Sequence, residues 1–110
     1  MKIATEEAFA TPALFEAYGK LLDDGAPAEP GLDHMVGRLL NPTNEWTARL
    51  AGQLLDLGDI RLAQMDDGGV DLQIIAITSP GVQVFDADTA SALAEEANDI
   101  LAEAVGAHPS

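Results

Sequence analysis

The run "KIATEEAFAT", residues 2–11, sets two adjacent carboxylates, Glu6 and Glu7, directly after an apolar, strand-like stretch and follows them with Ala8 and Phe9. Like charges side by side are costly wherever water is scarce. Either the pair sits in solvent, as a surface feature, or something positive meets it. A divalent cation is one such partner, because its charge lets a carboxylate persist in a dry place. On an unbroken strand side chains alternate, so Ala4, Glu6 and Ala8 share one face and Ile3, Thr5 and Glu7 the other. The small neighbours of Glu6 leave room for an ion. A second stretch with polar groups at the end of an apolar run is Thr78-Ser79-Pro80-Gly81. It reads either as the rim of a site or as an ordinary turn, since Pro-Gly needs no function to explain it.

Residues 2–6 are expected to form a short strand. Thr11 before Pro12 is an N-cap with proline at the first helical position, and the following helix carries Leu14, Phe15, Tyr18 and Leu22 at helical spacing. Residues 23–44 hold three prolines and three glycines without a sustained period. They are expected to be one long loop of the binding or lid kind. "EWTARLAGQLLDL" turns helical from Glu45, and "DIRLAQMDD" resumes after Gly58 with Asp59 as cap. Gly68-Gly69 ends it, with Gly68 expected to take the left-handed conformation. Residues 70–78, "VDLQIIAIT", form the clearest strand, and the unbroken apolar run at 74–77 suits a parallel strand covered on both faces. Asp86 or Asp88 caps a long helix over 86–106, whose alanines, leucines and Ile100 recur at three- and four-residue intervals.

This alternation of strands and helices predicts an α/β fold with right-handed βαβ units on a parallel sheet. Two parallel strands cannot hide their own edges, so the 110 residues are expected to be incomplete on their own. Length fits one domain, and an apolar fraction of 47% is enough for a core. Nineteen acids against five bases give a formal net charge of −14. Nucleic acid and anionic membrane are thereby disfavoured as partners, since both need a basic footprint. The chain has no cysteine, which excludes disulfides and thiolate metal sites. It has no signal-peptide pattern and no apolar run near the ~20 residues of a membrane span, so a soluble, cytoplasmic protein is expected.

The segments "IATEEAFAT", "LLDLGDIRLAQMDDGGVDLQIIAITSPGVQ" and "ANDILAEAVGAHP" resemble the N-terminal third of the metal-dependent aromatic-acid decarboxylases of the amidohydrolase superfamily. That family includes the γ-resorcylate and 5-carboxyvanillate decarboxylases. The resemblance implies a distorted (β/α)8 TIM-like barrel of about three times this length, in which the chain supplies two parallel strands with flanking helices. It implies that Glu6, at the end of the first strand, binds a divalent cation in the barrel mouth. Ala8 stands where many relatives place a histidine ligand, so position 8 has no ligand role. The expected ion is Mn²⁺ or Zn²⁺, which suit a mixed oxygen and imidazole set, with Mg²⁺ suited to oxygen ligands alone.

The implied reaction is non-oxidative decarboxylation of a hydroxylated aromatic carboxylate, with the metal as Lewis acid and template and a carboxylic acid as proton donor. The remaining ligands and the donor belong to later strands. Thr78, Ser79 and Pro80 would face substrate. Relatives supply a substrate-binding arginine where an ungapped match places Trp46, which leaves Arg49, one turn on, and Arg38 as candidates. Trp46 is expected to pack, His34 to lie in a solvated loop, and His108 to meet the helix dipole. Partners would be a small aromatic carboxylate and further copies in a homo-oligomer. The alternatives are a non-catalytic, self-associating α/β module, or a metal-dependent hydrolase of the same superfamily.

Overall fold

Two apolar segments pair as parallel strands, β1 (Ile3–Phe9) and β2 (Leu72–Ile77), in the computed structural model, which describes residues 1–25, 31–41 and 43–109. Between them lie four helices: α1 (Pro12–Asp23), α2 (Leu32–Leu39), α3 (Glu45–Leu55) and α4 (Asp59–Gly68). A fifth, α5 (Ala87–Ala107), follows β2. None of these helices is long and apolar enough to cross a membrane.

β1 runs three residues beyond the expected end at Glu6, because Ala8 and Phe9 continue the ladder opposite Ala76 and Ile77. The pairing is not regular. Ala4 pairs with Gln73 and Glu7 with Ile75, so Thr5 and Glu6 together oppose the single residue Ile74. That extra residue is a β-bulge, which breaks the two-residue alternation. The expected faces are corrected accordingly. Ala4, Glu7 and Phe9 lie on the side that carries Gln73, Ile75 and Ile77. Thr5, Glu6 and Ala8 lie on the other, with Leu72, Ile74 and Ala76.

The first of these sides is covered by helices. The core beneath it gathers Ala10, Leu14 and Tyr18 with Leu32 and Val36, flanked by Ile77, Val82, Phe85 and Leu93. Leu32 and Val36 belong to α2, which corrects the expectation of a loop over 23–44. An eight-residue helix with a central glycine offers only these two anchors four residues apart, too few to register as a period. Residues 26–30 and 42 of that expected loop lie outside the described residues. The second side of the sheet is uncovered: Ile3, Leu72 and Ile74 stay 46%, 46% and 56% exposed. The continuous apolar run of β2 is thus a strand covered on one face here, not on both.

Local signals set the helix ends. Thr11 Oγ1 accepts from the Leu14 N–H at 3.1 Å, with Pro12 at the first position. Asp86, not Asp88, caps α5 by accepting from Thr89 N–H and hydroxyl at 2.9 and 2.8 Å, and these bonds hold its carboxyl below the usual range. Asp59 makes no cap; Asp56 Oδ1 instead accepts from the N–H groups of Gly58 and Arg61, both at 3.0 Å. The left-handed residue ending α4 is Gly69, at φ 62°, and not Gly68.

Tyr18 ties α1 to the segment after β2. Its hydroxyl donates to the Gly81 carbonyl at 2.6 Å and its ring stacks on Phe85 with centroids 5.5 Å apart. Burial pushes this phenol up to about 12 from an ordinary 10.0. The unfolded chain therefore releases the proton first, and the folding stability held below pH ~10 drains away as pH climbs towards ~12. Tyr18 is the chain's one tyrosine, so phenolate absorbance reads it directly. Tyr18→Phe is expected to abolish that alkaline loss in urea denaturation. At pH 7 it should cost about 1–3 kcal/mol by orphaning the Gly81 carbonyl.

Candidate metal centre

The bulge decides where the two adjacent carboxylates go. Glu6 projects from the uncovered side, exposed, with Ala8 and Ala76 as small neighbours on that side and Ile74 opposite. Glu7 turns the other way and is half-buried against the helices. On that side Arg61, in the first turn of α4, carries a positive charge that Glu7 helps to support. The pair is thus divided between a covered side that holds Arg61 and an open side.

Arg61 is 8% exposed and is the charged residue in the core among the described residues. Its Nε donates to the Asp56 carbonyl at 2.8 Å, Nη1 to Gln73 Oε1 at 3.2 Å, and Nη2 to the carbonyls of Ala8 and Gln53 at 2.8 and 3.3 Å. Burial lowers its pKa, while Glu7 and Asp56 draw it back up; an arginine in this setting stays charged. The sequence reading gives Arg61 no role beyond its place in the helical run after Gly58. The available signal was its place: a cation in a helix's first turn opposes the dipole, so something tertiary must hold it there.

Glu6 does not end its strand, as the sequence suggested. It sits opposite Ile74, four residues short of Thr78, which is roughly 13 Å along a strand. The segment Thr78–Gly81 forms a rim above it. The Thr78 N–H donates to the Phe9 carbonyl and the Gly81 N–H to the Thr78 carbonyl, each at 2.8 Å. Thr78 and Pro80 are half-buried and Ser79 is exposed. Gly81 is fully buried at φ 72°, a conformation that favours glycine. Arg49 lies elsewhere, exposed on α3 in a shallow groove with Gln53, Ile60 and Gln64. Trp46 is 67% exposed rather than packed. His34 and Arg38 fall on α2, not in a loop, and both are exposed.

Among the described residues no three His, Asp or Glu side chains converge on a common point. The donor set at the open face is one carboxylate, with the Thr5 hydroxyl beside it. A hard oxygen ligand with small neighbours fits a divalent ion as one member of a shell, and two of the commoner ligand sets add imidazole or further carboxylates.

Comparison with known proteins bears on what completes it. No family model matches the chain. The structure superposes on 5-carboxyvanillate decarboxylase from Novosphingobium aromaticivorans, solved with manganese and 4-hydroxy-3-methoxy-5-nitrobenzoic acid. The TM-score is 0.92 at 43% identity, over 99% of this chain and 31% of that one. The Sphingomonas paucimobilis enzyme of the same name gives 0.79 at 36% identity. γ-Resorcylate decarboxylase from Rhizobium radiobacter is 33% identical over 109 residues, 98% of this chain and 27% of its own length.

The chain corresponds to the N-terminal third of the metal-dependent aromatic-acid decarboxylases. Its fold is the opening part of their barrel, two parallel strands with flanking helices. It spans about 30% of the length of the relatives it matches. The uncovered side of the sheet, on which Glu6 is exposed, is the side that carries no helix.

With a single carboxylate on this face, the 110 residues alone are expected to bind Mn²⁺ no more tightly than millimolar in isothermal titration. A micromolar Kd would contradict the one-ligand geometry.

Proposed function

We propose that this chain forms the first part of a metal-dependent decarboxylase acting on a hydroxylated aromatic carboxylic acid, with Glu6 as its contribution to the metal. The observation that carries this reading is the bulge at Thr5–Glu6, which turns that carboxylate onto the bare side of the sheet between small residues. The likeness to relatives solved with manganese favours Mn²⁺ over Zn²⁺. A bound ion would supply Lewis-acid polarisation and a template for substrate oxygens.

The chain's own residues would act as follows. Glu6 holds the ion from below the rim. The Thr78 hydroxyl, with Ser79 and Pro80, forms the wall nearest an aromatic carboxylate, and its backbone is fixed by Phe9 below and Gly81 above. Arg49, one turn into α3, is the weaker candidate for the substrate's carboxylate, since it shares its groove with α4 rather than with Glu6. The absence of cysteine supports a reducing, cytoplasmic setting.

One observation favours a second reading for the isolated chain. The bare apolar side with Ile3, Leu72 and Ile74 suits self-association. Light scattering separates the two: a stable, cooperatively melting monomer would count against it.

The proposal is tested by completing the barrel, replacing the matching N-terminal segment of the Novosphingobium enzyme with these residues. The hybrid is expected to decarboxylate 5-carboxyvanillate with Mn²⁺, and Glu6→Gln to lower kcat/KM by about 100-fold or more, in line with loss of a metal ligand. Full activity of Glu6→Gln would remove Glu6 from the metal shell.

A further inference from the structure

Glu6 and Glu7 are chemically identical neighbours, yet only one faces the open side. Nothing in their own chemistry makes that choice. A one-residue slip of β1 against β2, with the bulge ironed out, would exchange their faces. Something must hold the extra residue in place.

The groups around the bulge identify it. Ala4 opposite Gln73 is the last regular pair before the bulge, and Ala8 opposite Ala76 lies just after it. The Arg61 guanidinium grips both ends at once, through Gln73 Oε1 at 3.2 Å and the Ala8 carbonyl at 2.8 Å. Because the fork is planar and rigid, the two contacts fix the offset of one strand against the other across that gap. Its remaining donors bind the carbonyls of Gln53 and Asp56, so the grip is anchored at the α3–α4 corner. The same positive charge lies on the helix side and favours a carboxylate turned towards it, which is Glu7.

We propose that Arg61 is the positioning residue of the candidate metal centre: by bridging Ala8 and Gln73 and attracting Glu7, it selects Glu6 for the open face. The proposal rests on Glu6 as the ligand for its functional meaning, but its structural content can be tested without metal.

Carbodiimide labelling of carboxylates, read residue by residue by tandem mass spectrometry, reports which glutamate is accessible in the 110-residue chain. The unmodified chain is expected to label Glu6 in preference to Glu7. Arg61→Met should lose or reverse that preference. Arg61→Lys, which keeps the charge without the fork, should retain part of it. Gln73→Leu, a milder change that removes one end of the bridge, should weaken it in a chain that still folds. Leu14→Ala, a destabilising substitution in the core away from the bulge, should lower Tm and leave the preference intact. The proposal is overturned if the unmodified chain labels both glutamates alike. It is equally overturned if Gln73→Leu and whichever Arg61 variants fold keep the original ratio, or if Leu14→Ala erases it. An inactive hybrid, or a fully active Glu6→Gln hybrid, with labelling as expected, would instead sink the decarboxylase reading and leave the role of Arg61 in the bulge standing.

Discussion

One buried guanidinium joins what would otherwise be three loosely related pieces. Arg61 sits on α4 and bonds the end of α3, the backbone of β1 and a side chain of β2. Burying a charge is costly, and a buried charge robbed of its partners typically destabilises by about 3–5 kcal/mol. Here carbonyl and amide oxygens meet four of its donor contacts, and two carboxylates lie near enough to support the charge. The arrangement is therefore demanding: it tolerates neither a shifted strand nor a displaced helix corner. A contact of that kind is better suited to fixing geometry than to adding stability, because an apolar residue of similar size could fill the space without insisting on a register.

The rim above Glu6 is held independently. Tyr18 reaches from α1 to the carbonyl of Gly81, and the stacked Phe85 keeps the phenol from swinging away. The ladder ends with Thr78 bonded to Phe9. So the floor of the candidate site is set by α4 through Arg61, and its wall by α1 through Tyr18. Two separate polar contacts, each from a buried side chain to backbone, locate the two groups of residues that could meet an ion and its ligand. Both sets of positioning contacts are internal to these residues.

Much of this was legible in the sequence, and what was not has physical causes. The apolar run of β2, the Thr11-Pro12 start of α1 and the stripe of α5 are local patterns, and the family resemblance rests on them together with the Glu-Glu pair. The bulge was not legible, because it is a property of the pairing between two strands nearly seventy residues apart and leaves no mark in either alone. Its consequence reached furthest: the expected partition placed Ala4 with Glu6, and the strand was expected to stop where it in fact continues to Phe9. α2 was missed because two apolar anchors in eight residues do not make a period. The left-handed terminus fell one glycine later than expected, a choice between adjacent glycines that helix length settles. Arg61 escaped notice because its role lies in tertiary contacts.

The remaining feature, a bare apolar sheet side, ties the architecture to the chemistry. A parallel pair of strands with helices on one side has its second side free by construction, and a barrel is the closed solution that covers such a side with other strands. Inside it, a carboxylate flanked by alanines and isoleucine would face a poorly hydrated space. A charge in such a space is costly unless one of opposite sign meets it. The neighbouring carboxylate avoids that problem by turning to Arg61. The net charge of −14 adds nothing specific to this, since charges scattered over a solvated exterior are screened within about 10 Å. What singles out Glu6 is its side of the sheet, and the side is chosen by the bulge that Arg61 spans.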